Sequence, residues 1–524
     1  MLEFETAQGN KYAWCDDVGL IIPESLEMRA ILNQINLQDP VLDESILKTL
    51  MKSYNEDEIK YCYKWIKKWR KIMPKQNALK IPQEIPAESI KPFVLRHCLR
   101  QLILDVTEDC NFRCKYCTFS EYYEFTRGYS KRHMNFEVAK KAIDLYANLL
   151  KEGRRFNPWR EHYIGFFGGE PLLNFDLIKE CVNYIESRYG KWHYSMTTNG
   201  SLLDEEKGEW LLDHKFSILV SLDGPEEEHN RNRVFCDGRG TFNQIMKNLA
   251  TMLEMGYKDI RAITVLDPKS DISEIEKFFQ RNDVPPISRA TNVTKMEGCK
   301  YYDQFSKEDQ QFFLHRVETA RTRYMDRISN NLKNNKKNPF SDALFYRILI
   351  SMLLGPITLQ SSKSLAPFTG TCVPGLKIFV DVEGNIHACE RILTNFPIGN
   401  VYDGLNYHRI GEILKDYFHH MERCPSCRVR KLCNKCFHDF CTDQGFSSSN
   451  NVCQEIESST LKSLSEAVSI AEIDSKLVDR ADIKYESLMK WGRESAIGCY
   501  LYNLFIHATW GVAKWAKEVQ SLDS

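Results

Sequence analysis

The chain lacks a charge excess of either sign: 70 lysines and arginines face 71 aspartates and glutamates, for a net charge of −1. No nucleic-acid partner is expected from this balance, because phosphate binding leaves a basic excess. The opening MLEFETAQGNKYAW lacks a basic start and an apolar run, carrying Glu3 and Glu5 instead, so no secretory signal is read there and a cytoplasmic location is expected. No internal repeat at a solenoid period occurs. Membrane association is not expected either. The uncharged run from Ser495 to Ala513 is long enough to raise the question of a span, but Asn503, His507 and Thr509 favour a buried or interface helix.

What the chain does carry is cysteine, 18 in 524 residues, too dilute for a disulfide scaffold yet clustered at short spacings. Cys110, Cys114 and Cys117 form one group, and eight more run from Cys372 to Cys453. In a reducing compartment such groups point to metal. The scattered Cys15, Cys62, Cys98, Cys181, Cys236, Cys299 and Cys499 read as buried apolar residues.

The length predicts about three domains. Residues 1–95 open with β-type runs around Phe4, Tyr12 to Trp14 and Gly19 to Ile22. Helical patterns follow at Glu24 to Asn36, Leu42 to Tyr54 and Glu56 to Met73, together suggesting a small winged-helix-like module. Residues 96–300 alternate strand and helix through LILDVT, HYIGFFGG, WHYSMTT, SILVSLD and IRAITVLD. About six such βα units imply parallel strands in an α/β fold, a partial (β/α)6 TIM-like barrel with its chemistry at the strand C-termini. Residues 301–365 read as a helical linker, 366–455 as a cysteine-rich domain and 456–524 as a C-terminal helical segment.

The sharpest signal is TEDCNFRCKYC, which places Cys110, Cys114 and Cys117 at Cys-x3-Cys-x2-Cys directly after the LILDVT strand. Three thiolates on one loop can hold three irons of a [4Fe-4S] cluster and leave the fourth open to a non-protein ligand. A zinc site is the competing reading, but it would want a fourth protein ligand or a water. Farther on, FFGGEP puts Gly168, Gly169, Glu170 and Pro171 at the end of the second strand, where glycines admit close backbone approach. TTNGSLL (Thr198, Asn199, Gly200) and SLDGP (Ser221, Asp223, Gly224, Pro225) end the next two strands. HNRNR then supplies Arg231 and Arg233, either of which could fork onto a carboxylate.

The cysteine spacing, with Tyr116 before the last cysteine, resembles the radical S-adenosylmethionine (SAM) superfamily. The resemblance implies that SAM binds the open iron through its amino and carboxylate groups and is cleaved by one electron to a 5′-deoxyadenosyl radical. It also implies SAM contacts from Gly168, Gly169, Glu170 and Pro171, from Asn199, Ser221 and Asp223, and from Arg231 or Arg233. The later run, Cys372-x11-Gly384-x4-Cys389 and then Cys424, Cys427, Cys433, Cys436, Cys441 and Cys453, resembles the SPASM domain, which holds two auxiliary [4Fe-4S] clusters. By that resemblance Cys424, Cys427, Cys433 and Cys453 hold the outer cluster and Cys372, Cys389 and Cys436 the inner one. The spacing departs from the pattern before Cys436, and the extra Cys441 leaves the fourth inner ligand open. A zinc ribbon competes for this segment.

Together with the N-terminal module, these motifs look most like maturases of ribosomally made, cysteine-rich precursor peptides that form thioether cross-links. The leader of the peptide would bind beside the N-terminal strands, and a low-potential donor of flavodoxin or ferredoxin type would supply electrons. Formylglycine formation of the anaerobic sulfatase-maturase kind, or another modification such as a carbon-carbon cross-link, is the alternative. A zinc-stabilised peptide-binding protein would be the non-enzymatic one. No catalytic acid or base is legible in the sequence.

Overall fold

A computed structural model describes the chain except at residues 17–19, 36–42, 73–84, 125, 159, 296–297, 332–337, 347, 349–351, 353–373, 392–395, 422, 434–436, 448–449 and 474–524. Cys372, Cys436, Cys499 and the apolar run at 495–513 lie outside the described residues. Among those described, no helix is long and apolar enough to cross a membrane.

The N-terminal strands β1 (Leu2–Glu5), β2 (Lys11–Cys15) and β3 (Leu20–Pro23) form an antiparallel sheet in the order β1-β2-β3, one strand more than a hairpin. Three helices follow, α1 (Leu26–Leu32), α2 (Glu44–Ser53) and α3 (Glu56–Ile72). Side-chain caps fix where the first two start: Ser25 accepts from the Met28 amide and Asp43 from the Ser45 amide. Ile22, Met28, Ile31, Ile59, Cys62 and Trp65 close a small core of their own.

After α4 (Ala87–His97) comes the barrel. Strand β4 (Gln101–Thr107) is buried along almost its whole length, as a strand covered on both faces must be. It is followed by α5 (Phe136–Gly153), β5 (Tyr163–Gly168), α6 (Phe175–Tyr189), β6 (His193–Thr198) and α7 (Glu205–Asp213). Then come β7 (Ser217–Ser221), α8 (Glu226–Asn232), α9 (Phe242–Glu254), β8 (Ile260–Leu266), α10 (Ile272–Phe278) and β9 (Ile287–Asn292). Strands β4 to β9 pair in parallel and in sequence order, so the expected six-stranded partial barrel is what forms. Asn135, Asp204 and Asp271 cap α5, α7 and α10, each accepting amide hydrogen bonds from the first turn.

Helix α11 (Lys307–Asn331) packs beside α10 of the barrel, where Arg316 donates to Pro268 O at 2.7 Å and Arg323 pairs with Glu276 at 3.2 Å. The cysteine-rich region then returns to the barrel: β10 (Lys377–Val380) pairs in parallel with β4, with Lys377 opposite Gln101 and Val380 opposite Leu104. Antiparallel β11 (Asn385–His387), β12 (Pro397–Asn400) and β13 (Gly404–Leu405) complete one continuous ten-stranded sheet. Helix α12 (Tyr407–His420) and the final described helix, α13 (Asn450–Ile473), close the fold. The latter lies along β1, where Ser469 accepts from the Ala7 amide and Glu472 from the Tyr12 hydroxyl at 2.6 Å.

Candidate active site

The loop after β4 carries all three cysteines of the triad into one cavity of about 540 Å3, at the C-terminal ends of the barrel strands. Each sulfur has an N–H group nearby: Phe112 N at 3.4 Å from Cys110 Sγ, Arg233 Nη1 at 3.9 Å from Cys114 Sγ, and Phe119 N at 3.5 Å from Cys117 Sγ. Such donors suit thiolates. Burial pushes all three thiols up, Cys114 to about 12, so bound metal is what would hold them ionised. Among the described residues no three Cys, His, Asp or Glu side chains converge tightly enough for a single metal ion. A zinc ion needs sulfurs within about 2.3 Å of one point, whereas the irons of a cube lie apart. The donor set therefore fits a [4Fe-4S] cluster better than zinc.

The glycine motif turns out to be a brace for this loop. Gly169 N donates to Thr107 O at 2.7 Å and Glu170 N to Asp109 O at 2.8 Å. A Cβ on Gly168 or Gly169 would run into the carbonyls of Thr107 and Asp109, and Gly168 has φ +154°. Both glycines also line the cavity, while Glu170 is fully buried behind it. Its carboxylate accepts from the Thr198 hydroxyl at 2.6 Å, the Asn199 amide at 2.7 Å and the Leu172 amide at 3.1 Å. Its oxygens are thus occupied by protein. Burial raises it to about 7, against the pull of those donors. Pro171 starts the buried turn that follows. Asn199 and Ser221 line the cavity, and the Asn199 side chain also bonds Asn111 Oδ1 at 2.8 Å, inside the cysteine loop.

The two arginines separate cleanly. Arg231 is held by Asp267 at 2.5 Å and Glu228 at 3.0 Å, outside the cavity lining. Arg233 lines the cavity, is buried beside Cys114 and pairs with Asp223 at 2.9 Å. Asp223 is buried too. It accepts from the Tyr116 hydroxyl, from Arg233 and from Val265 N at 3.0 Å, so it orients the arginine rather than facing the cavity. Its amide in turn donates to His229 Nδ1 at 3.3 Å. Burial lowers that imidazole to about 3, leaving it a neutral acceptor.

Several lining residues carried no recognised signal: Tyr129, Arg289, Asn292, Lys377, Glu390 and Arg391. Glu390 is the only carboxylate among the described residues of the cavity lining. Burial would push it up, but the Lys377 ammonium at 3.0 Å outweighs that and holds it below the usual carboxylate range. Its position directly after Cys389 in ACER was the available clue.

Of the later cysteines, Cys424, Cys427, Cys433 and Cys453 are brought together. Burial pushes the Cys424 thiol up to about 12, and the three other thiols add to the rise. Cys389 follows β11, and Cys441 is buried in a short hairpin, Cys441–Thr442 against Gly445–Phe446. Cys372 and Cys436 lie outside the described residues.

Residues 104–281 match the Radical SAM superfamily. The chain is 25% identical over 350 residues to the cysteine-type anaerobic sulfatase-maturating enzyme of Clostridium perfringens (strain 13 / Type A), covering 64% of this chain and 87% of the relative. Its fold matches native anSMEcpe with bound AdoMet at a TM-score of 0.51 and 22% identity, over 73% of this chain and 99% of that one. The same protein with bound AdoMet and Cp18Cys peptide matches at 0.50 and 23%, with the same coverage. This chain therefore carries segments that the solved one lacks. Because the residues that match the Radical SAM superfamily, 104–281, include the cysteine triad and the glycine motif, the chain is a radical SAM enzyme whose cofactors are S-adenosylmethionine and a [4Fe-4S] cluster.

Proposed function

We propose that this enzyme modifies a ribosomally made, cysteine-rich precursor peptide, joining a cysteine sulfur to a carbon in a thioether cross-link. One observation carries the reading: a single cavity is lined both by the cysteine triad and by Lys377, Glu390 and Arg391, the last two directly after Cys389 in the chain. A peptide segment there lies between the radical source and the cysteine-rich region. When bound, the cluster and SAM supply one-electron chemistry able to break an unactivated C–H bond. Cys110, Cys114 and Cys117 would hold that cluster; Arg233, its direction fixed by Asp223 and Tyr116, would take the SAM carboxylate; and the backbone at Gly168 and Gly169, with Asn199 and Ser221, would line the SAM pocket. Glu390, the one carboxylate among the described residues of the cavity lining, would receive the proton that the substrate thiol gives up. Cys424, Cys427, Cys433 and Cys453 would hold an outer auxiliary cluster and Cys389 would contribute to an inner one; an auxiliary cluster would accept the second electron that the substrate loses when sulfur joins the carbon.

The N-terminal module recruits the leader of the peptide. Strand β1 is covered by α13, whereas among the described residues β3 has a pairing strand on one side only, so an extended leader would add there through backbone hydrogen bonds. Tethering raises the local concentration of the core segment. The reducing cytoplasm and a flavodoxin- or ferredoxin-type donor complete the setting.

The test is anaerobic reconstitution followed by incubation with SAM, reductant and candidate cysteine-rich peptides with and without leader, reading deoxyadenosine and peptide mass. A loss of about two mass units per cross-link, dependent on the leader, is the expected result. The likeness to the sulfatase-maturating relative over 87% of its length favours a second reading, oxidation of a cysteine or serine to formylglycine. Leader-independent turnover of a sulfatase peptide would select it.

A further inference from the structure

Arg127 lies between the cysteine triad and α5, and its guanidinium meets four separate segments. It donates to Asp105 in β4, and Nη2 donates to the backbone oxygen of Glu390 at 3.3 Å. Its flat face stands 5.0 Å from the ring of Phe119, two residues past Cys117, and 4.6 Å from that of Phe379 in β10. Only a planar cation with several fixed donors can stack and bond in four directions at once; a lysine ammonium cannot.

Net stability does not account for the pair. Asp105 is completely buried, its Oδ1 has no hydrogen-bond partner among the described residues, and burial raises the carboxyl to about 7 even with Arg127 beside it. A buried ion pair with an unsatisfied oxygen tends to cost more in desolvation than it returns. What the pair does supply is a fixed point: β4 on one side, the residue that follows Cys389 on the other, with the cysteine loop stacked against it.

We propose that Arg127 is a positioning residue that fixes Glu390 and Cys389 relative to the loop of Cys110, Cys114 and Cys117, and so sets the coupling between SAM cleavage and peptide turnover. The inference rests on the reading of the cavity as the peptide site. Near-attack geometry is steep in distance, so a displacement of about 1 Å suffices to uncouple the two events.

The test is Arg127→Lys, which keeps a cation for Asp105 but loses the fork and the stacking. In the reconstituted enzyme with SAM, reductant and a leader-bearing cysteine-rich peptide, peptide product per deoxyadenosine should fall at least about tenfold. In a Cys114→Ala background, where the SAM-binding cluster is lost, the same change should shift the electron paramagnetic resonance spectrum of the reduced auxiliary centres. An unchanged ratio together with an unchanged spectrum overturns the proposal. Phe379→Leu withdraws one stacking face and leaves the charges in place; it must move both readouts in the same direction, which decides the matter should Arg127→Lys load less iron. If the parent enzyme makes deoxyadenosine but alters no peptide, the proposed function falls and the spectrum alone decides on Arg127. If no auxiliary spectrum is obtained either, the proposal goes with the reading beneath it.

Discussion

Glu170 accepts the backbone N–H of Asn199 at 2.7 Å, so the end of the second barrel strand holds the end of the third. Because Glu170 N also donates to Asp109 O, the cysteine loop is hung from the same residue. Glu170→Gln would set an amide NH2 among three donors. About 1–3 kcal/mol of stability should be lost by leaving a buried donor unmatched. Thermal unfolding together with iron content after reconstitution checks this, and a native unfolding midpoint would refute it.

Asp105 and Glu170 are both raised by burial to about 7. A carboxyl whose folded value exceeds its unfolded one ionises later in the folded state, so between about pH 4 and pH 7 the unfolded chain releases the proton first. Stability should therefore fall as pH rises through that window, and Asp105→Asn should flatten the slope. Denaturant midpoints measured at intervals from pH 5 to 8 provide the check.

Arg231 and Arg233 differ by two positions and should differ in phenotype. Arg231→Ala removes the partner of buried Asp267, at a cost of about 2 kcal/mol, while the KM for SAM stays near native. Arg233→Ala should raise that KM at least tenfold, since a charge-assisted fork to a carboxylate contributes roughly 1.5–3 kcal/mol. Equal effects on SAM affinity would contradict the assignment.

Cys114→Ala should abolish deoxyadenosine formation. Cys427→Ala should retain measurable SAM cleavage while peptide turnover stops, because Cys427 belongs to the distant group with Cys424, Cys433 and Cys453. Chromatography of the nucleoside and mass analysis of the peptide separate the two outcomes.

Asp16, at the end of β2, accepts from the Lys431 amide at 2.8 Å and pairs with Arg430 at 3.1 Å, between Cys427 and Cys433. Asp16→Asn should loosen the N-terminal module from the cysteine-rich region. Limited proteolysis should then release the module faster than from the native enzyme.

The parts of this architecture that sequence made legible are those written locally. The strands from LILDVT to IRAITVLD and their helices announce themselves by period and by caps such as Asn135 and Asp204, and the triad by its spacing. Contacts between distant segments left no such trace. Nothing in KIFV says that it pairs with β4, 276 positions earlier at Lys377 and Gln101. The choice between Arg231 and Arg233 depended on where Asp267 and Asp223 lie in space, and the bracing role of Glu170 depended on partners that sit on a different strand. Arg127 belongs to no motif at all; only its four neighbours give it meaning.

The pairing of β10 with β4 also bears on how the enzyme can be cut or recombined. Excising everything after α11 would strip β4 of its outer neighbour and leave a row of bare amides and carbonyls on a strand whose flanks are apolar. Such a fragment would seek a substitute strand from another molecule and precipitate. The catalytic barrel and the region that follows it must therefore be inherited, expressed and engineered as one piece.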